Sequence, residues 1–148
     1  MTPLSSELCH ASCVAIRGHA VLIEGPSGAG KSDLALRLID RGAMLVSDDQ
    51  TLLRRRDGDT LRASAPATIR GLIEVRGLGI LDMAHADDVP VAMIVTIISS
   101  PERMPPESRN RTIAGVVIPG IALAALESSA PVKVELALAR AIGDRQRA

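Results

Sequence analysis

The sequence predicts an α/β fold in which a mixed β-sheet is flanked by helices, organised as one domain over residues 1–148. Three observations lead there. The chain has 148 residues, 47% of them hydrophobic, which suits a single core. An apolar strand runs directly into a glycine-rich loop and then into an amphipathic helix. The remaining apolar runs are short and strand-like, without a clean alternation of strands and helices. Phe, Tyr and Trp are absent, so the core must be packed from Leu, Ile, Val, Met and Ala.

Residues 9–17 and 20–24 read as two adjacent strands around Arg17-Gly18-His19. Residues 31–41 follow with helical spacing: Leu34, Ala35, Leu38 and Ile39 form one face, and Gly42 is a natural stop. Met44-Leu45-Val46 is a short buried strand that ends on Asp48-Asp49. Residues 52–56 and 60–63 flank Asp57-Gly58-Asp59 as a hairpin. Residues 69–81 are extended and interrupted by Gly71, Gly77 and Gly79. Residues 90–98 are the most apolar strand, 99–112 a polar, Pro-rich loop, and 112–118 a further strand. Residues 131–142 read as a closing helix, with Ser128 or Ser129 as its cap and Pro131 in its first turn.

Several function classes are disfavoured. A formal net charge of zero does not suit a broad nucleic-acid surface, and no aromatic platform exists for base stacking. No run is long enough to cross a bilayer, and residues 1–7 lack the pattern of a signal peptide. Cys9 and Cys13 fit neither a disulfide framework nor a zinc site and read as reduced thiols. The expectation is a cytoplasmic protein with neither nucleic-acid nor membrane partners.

Gly25-Pro26-Ser27-Gly28-Ala29-Gly30-Lys31-Ser32 matches the phosphate-binding pattern Gly, any four, Gly-Lys-Ser/Thr. Gly28 and Gly30 let the backbone curl so that successive amides point inward. Those amides and the helix start attract phosphate. Lys31 adds a mobile positive charge, and Ser32 offers a hydroxyl to magnesium. The pattern implies nucleotide phosphate binding without naming the reaction. Asp48 and Asp49 can hold magnesium or accept a proton, or they can form an exposed turn. As neighbours on a strand they should point apart and do different work. Glu74, inside Leu72-Ile73-Glu74-Val75, fits a solvated strand face. His10 alone reads as structural, and Arg54-Arg55-Arg56 as a solvated run.

Taken together, four segments resemble the catalytic domain of HPr kinase/phosphorylase: His10, the phosphate loop, residues 41–49 (Arg-Gly-Ala-Met-Leu-Val-Ser-Asp-Asp) and residues 69–80 (Ile-Arg-Gly-Leu-Ile-Glu-Val-Arg-Gly-Leu-Gly-Ile). The last run is the most specific. The resemblance is firm over residues 10–81 and suggests a compact version without the N-terminal domain of longer members. It implies a P-loop kinase domain that uses ATP and Mg2+ to phosphorylate a serine of the phosphocarrier HPr or a nitrogen-branch HPr-like carrier, and that assembles as a hexamer. Many family members also remove that phosphate with inorganic phosphate. By the resemblance, Asp49 is the general base, Lys31 binds the phosphates, His10 supports Asp49, and Ser32 and Glu74 contact magnesium; Asp48, from its place at a strand end beside the loop, is a further metal candidate. Arg103 is matched to a family arginine, with Arg109 and Arg111 as alternatives. The family's Pro-Val-Arg-Pro-Gly-Arg loop is replaced here by Val116-Val117-Ile118-Pro119-Gly120-Ile121. Losing two guanidinium groups predicts weaker, altered or absent phosphorylase activity. A small-molecule kinase and a non-catalytic ATP-binding regulator are the competing readings.

Overall fold

A computed structural model describes residues 6–56, 58–99 and 109–147. Its strands are β1 (Ser6–Cys9), β2 (Ser12–Ile16), β3 (His19–Glu24), β4 (Met44–Ser47), β5 (Thr51–Arg56), β6 (Thr60–Ser64), β7 (Leu72–Val75), β8 (Gly79–Asp82), β9 (Val89–Ile97), β10 (Arg111–Ile113), β11 (Val116–Ile118) and β12 (Gly120–Leu123). Helix α1 spans Lys31–Asp40 and α2 spans Ala130–Arg147.

The main sheet runs β1-β5-β6-β9-β3-β2-β4, with β12 added against β9. Strands β3, β9 and β12 are parallel, whereas β2 lies antiparallel to both β3 and β4. The carboxyl ends of β3, β4, β9 and β12 therefore share one edge, where ligands bind in open α/β sheets. One face of this sheet packs on the helices. Val21, Ile23, Leu45, Met93 and Val95 meet Leu34 and Leu38 of α1 and Val134 and Leu138 of α2. The alternate residues Leu22, Val46 and Ile94 point to the other face and meet Leu53, Leu61, Ile113 and Ile118, as the two-residue strand period requires. The aliphatic core expected from composition is thus two layers, one on each side of the sheet.

Helix α1 buries Leu34, Ala35 and Leu38, the face anticipated from its spacing. Helix α2 begins where Lys133 N donates to Ser129 O at 2.9 Å. That places Ser129 at its cap and Pro131 in its first turn, and the helix runs beyond residue 142 to Arg147.

Four expectations change. Residues 9–17 fall in two strands, because the chain leaves β1 at Cys9, paired with β5, turns at His10 and Ala11, and enters β2, paired with β3 and β4. Residues 69–81 contain a hairpin of their own, β7 and β8, turning at Gly77 (φ 88). Residues 112–118 are also a hairpin, since Ala114 (φ 49) and Gly115 (φ 81) reverse the chain between β10 and β11. Two consecutive residues of positive φ form the tight turn whose twist suits paired strands. Strand β12, which the sequence reading lacks, continues the parallel set.

Candidate active site

The phosphate loop joins β3 to α1. Gly28 (φ 79) and Gly30 (φ 101) are both left-handed, a conformation glycine enters without steric cost. The first intrahelical bond of α1 runs from Leu34 N to Gly30 O at 2.9 Å. The amides of Lys31, Ser32 and Asp33 precede it, so they have no helical carbonyl to meet. Gly30 supplies no side-chain cap, and the amides are left to a ligand, with the helix dipole behind them. Lys31 is only 7% exposed. Its Nζ donates to Gly25 O at 2.8 Å and lies 3.9 Å from Asp49 Oδ1.

Asp48 and Asp49 lie just past β4 and point to different partners, separated by a turn rather than by strand alternation. Asp48 Oδ1 accepts from Ser32 Oγ at 2.6 Å and from Ser12 Oγ at 2.9 Å. Its Oδ2 accepts from Glu74 N at 3.0 Å. Asp48 is therefore a hub linking the phosphate loop, β2 and the β7–β8 hairpin. Asp49 turns the other way, toward Lys31 and toward His10 Nε2, which lies 3.7 Å from its Oδ1. It is 57% exposed and thus open to an incoming group.

The oxygen-rich set fits magnesium. Ser32 Oγ and Asp48 Oδ1 stand side by side, and Mg2+ typically takes one or two protein oxygens and completes its shell with phosphate and water. Glu74 has its amide pinned to Asp48, and its side chain is exposed. Among the described residues no group of three His, Cys, Asp or Glu is preassembled around a metal. Ser32, Asp48 and Glu74 are thus neighbours rather than a closed cage.

Arg103 lies outside the described residues. Arg109 is exposed. Arg111, on β10, grips both carboxylate oxygens of Glu24, whose Oε2 also accepts from Thr96 Oγ1 at 3.2 Å. Glu24 is the last residue before the loop, so this pair ties β10 to the loop's base. Sequence reasoning missed Glu24 and missed Ser12, which is fully buried. The available signal was a hydroxyl inside an otherwise apolar run, two residues after His10. Cys9 and Cys13 are both free thiols, as expected. Burial, together with Glu24 nearby, raises the pKa of Cys9.

Parallel strands, a glycine loop opening a helix, and acidic residues at a nearby strand end on the same edge define an α/β protein of the P-loop kinase fold. Comparison with known proteins narrows this. The model of the HPr Serine kinase C-terminal domain matches residues 3–134, and the chain belongs to that family. It is 51% identical over 74 residues to HPr kinase/phosphorylase of Geobacillus thermodenitrificans, covering 50% of this chain and 24% of that protein. It is 50% identical over 74 residues to the Bacillus subtilis protein of the same name, with the same coverage of 50% and 24%. The aligned part of this chain therefore spans about a quarter of the length of these curated relatives. The solved structure of the Hpr(Ser) kinase/phosphatase from Coxiella burnetii superposes with a TM-score of 0.79 at 30% identity, covering 96% of this chain and 99% of that one. No helix among the described residues is long and apolar enough to cross a membrane.

Proposed function

We propose that this chain is an ATP-dependent protein-serine kinase that phosphorylates HPr or an HPr-like carrier, working as one catalytic domain over residues 1–148. Family membership supports this reading, and one observation carries it: Asp49 stands 3.9 Å from the loop lysine and 3.7 Å from His10, open to solvent. When bound, ATP and magnesium supply the transferable phosphoryl group and neutralise its charge.

The protein's own residues do the rest. The amides at the start of α1 and Lys31 hold the phosphates in line. Ser32 and Asp48 present adjacent oxygens to the metal, with Glu74 beside them. Asp49 Oδ1 takes the proton of the acceptor serine as its oxygen attacks. His10 Nε2 stands 3.7 Å from the same carboxylate oxygen and supports it. In the reverse direction the same carboxyl returns the proton. A cytoplasmic setting, expected from the sequence, and assembly into a hexamer, implied by the resemblance, belong to the same reading.

Incubation with γ-labelled ATP and purified HPr tests it. The label should appear on a serine of HPr, and Asp49→Asn should lower transfer at least about 100-fold while nucleotide binding is kept. A chain that binds ATP but labels no carrier, or an Asp49→Asn variant of undiminished activity, refutes the proposal.

A further inference from the structure

The two residues that meet at the candidate base, His10 and Asp49, come from two chain segments that break at the same level. On one side of the break β1 pairs with β5, ending at Cys9 opposite Thr51. On the other side β2 pairs with β4, beginning at Cys13 opposite Ser47. Between these pairs, residues 10–12 of one segment face residues 48–50 of the other. Each segment makes a three-residue turn there. Ala11 N donates to Cys9 O at 3.0 Å around His10, and Gln50 N donates to Asp48 O at 2.8 Å around Asp49. Asp49 has φ 66. A bond from residue i+2 back to residue i around a central residue of positive φ is the rare, strained form of the γ-turn. Such backbone persists only where its surroundings hold it.

Two buried hydroxyls do the holding, each two residues beyond a turn's centre. Ser12 Oγ accepts from Asp49 N at 3.1 Å and donates to Asp48 Oδ1 at 2.9 Å. Thr51 Oγ1 donates to Ala11 O at 2.8 Å. Both residues are fully buried. Each segment thus fastens its neighbour's turn through a hydroxyl buried from solvent.

We infer that Ser12 and Thr51 are positioning residues, a crossed pair of hydroxyls that locks the facing turns and so holds His10 and Asp49 against one another. Ser12 acts on the amide of Asp49, and Thr51 on the carbonyl of Ala11, next to His10. This rests on the proposed role of Asp49. Neither hydroxyl contacts Lys31 or the loop amides, so their effect belongs to the rate of transfer rather than to the grip on nucleotide.

The experiment compares steady-state transfer to HPr with nucleotide affinity measured without magnesium, so that Asp48's metal role does not enter. Thr51→Val keeps the shape and removes the hydroxyl, whereas Thr51→Ser keeps the hydroxyl. Thr51→Val should lower kcat about tenfold and Ser12→Ala about 10–30-fold, in line with the cost of small misplacement in a reacting site. Thr51→Ser should stay within about twofold of the parent, and nucleotide affinity should change less than about twofold throughout. In an Asp49→Asn background, Thr51→Val, which does not touch Asp48, should lower the residual rate less than about twofold, because groups acting through one another are not additive. If Ser12→Ala fails to fold, the Thr51 pair decides. An active Asp49→Asn enzyme overturns the proposed function. An inactive Asp49→Asn enzyme beside Thr51→Val and Ser12→Ala at parental kcat overturns only the positioning role. Equal losses in Thr51→Val and Thr51→Ser overturn it as well.

Discussion

Replacing Asp48 by Asn tests whether this carboxylate is the mechanical hub of the site. Its two oxygens accept three hydrogen bonds, from Ser12 Oγ and Ser32 Oγ on Oδ1 and from Glu74 N on Oδ2. Asparagine offers one acceptor oxygen. Set in the place of Oδ1, it keeps both hydroxyls, but its NH2 then faces the amide of Glu74, donor against donor. One charge-assisted bond is lost, costing about 2 kcal/mol. The opposite orientation keeps the Glu74 bond but turns both hydroxyls into acceptors, which leaves the O–H of fully buried Ser12 without its acceptor. With a urea m-value of about 2 kcal/mol/M for a chain of this size, the midpoint should fall by about 1 M at unchanged slope. Asp48→Ala removes all three bonds and should cost about 3–5 kcal/mol. Asp49→Asn is the matched control. Its side chain has no hydrogen-bond partner among the described residues, and Asn tolerates the left-handed backbone as well as Asp. Its midpoint should move by less than about 0.3 M. The assay is urea unfolding without nucleotide, followed by circular dichroism. An unshifted Asp48→Asn midpoint, or equal shifts in both variants, refutes the hub argument.

Gly120→Ala should destabilise by about 2–4 kcal/mol, read as a drop in thermal midpoint. A β-carbon there would lie 2.2 Å from Arg109 O, and no rotamer change moves a backbone carbonyl. Gly143→Ala, where a β-carbon meets nothing within 4 Å, should stabilise by about 0.5–1 kcal/mol through helix propensity. Burial raises the Cys13 thiol far above its ordinary pKa. A raised folded pKa contributes stability that is complete below the unfolded thiol pKa and is lost as pH rises. Unfolding free energy should therefore fall by up to about 1.4 kcal/mol per pH unit above about pH 9, and Cys13→Ala should flatten that slope in pH-dependent urea titrations. The segment 116–121 lacks both arginines of the family's loop, and Pro119 O is taken by Ile94 N at 2.9 Å. Release of pyrophosphate from phosphoserine-HPr with inorganic phosphate should be weak or absent beside kinase activity; vigorous release would contradict this.

Much of the site was legible because its chemistry is local. The loop, its glycines, Lys31 and Ser32 are consecutive, and the helix that follows shows its apolar face in the spacing of Leu34, Ala35 and Leu38. Asp48 and Asp49 stood out as acidic residues after an apolar run. The hairpins at 72–82 and 111–118 were harder to read. Each is short enough to pass for one extended segment, and only the positive φ at Gly77, Ala114 and Gly115 turns the chain. Strand β12 eluded the pattern because Ile121, Ala122 and Leu123 are too few to show a period.

The sequence by itself determined the phosphate loop, the helix it opens, the aliphatic core and the family, since each depends on residues near one another in the chain. The resemblance already set His10 beside Asp49; tertiary structure alone decided that Asp48 rather than Asp49 bonds to Ser32, and that Ser12 and Thr51 bond to the turns around Asp49 and His10. The Ser12 and Thr51 bonds join residues 37 and 40 apart in the chain, and Asp48 and Ser32 are 16 apart. The facing of the two turns is set by the register of β1 with β5 and of β2 with β4, a long-range pairing that no local pattern of side chains encodes.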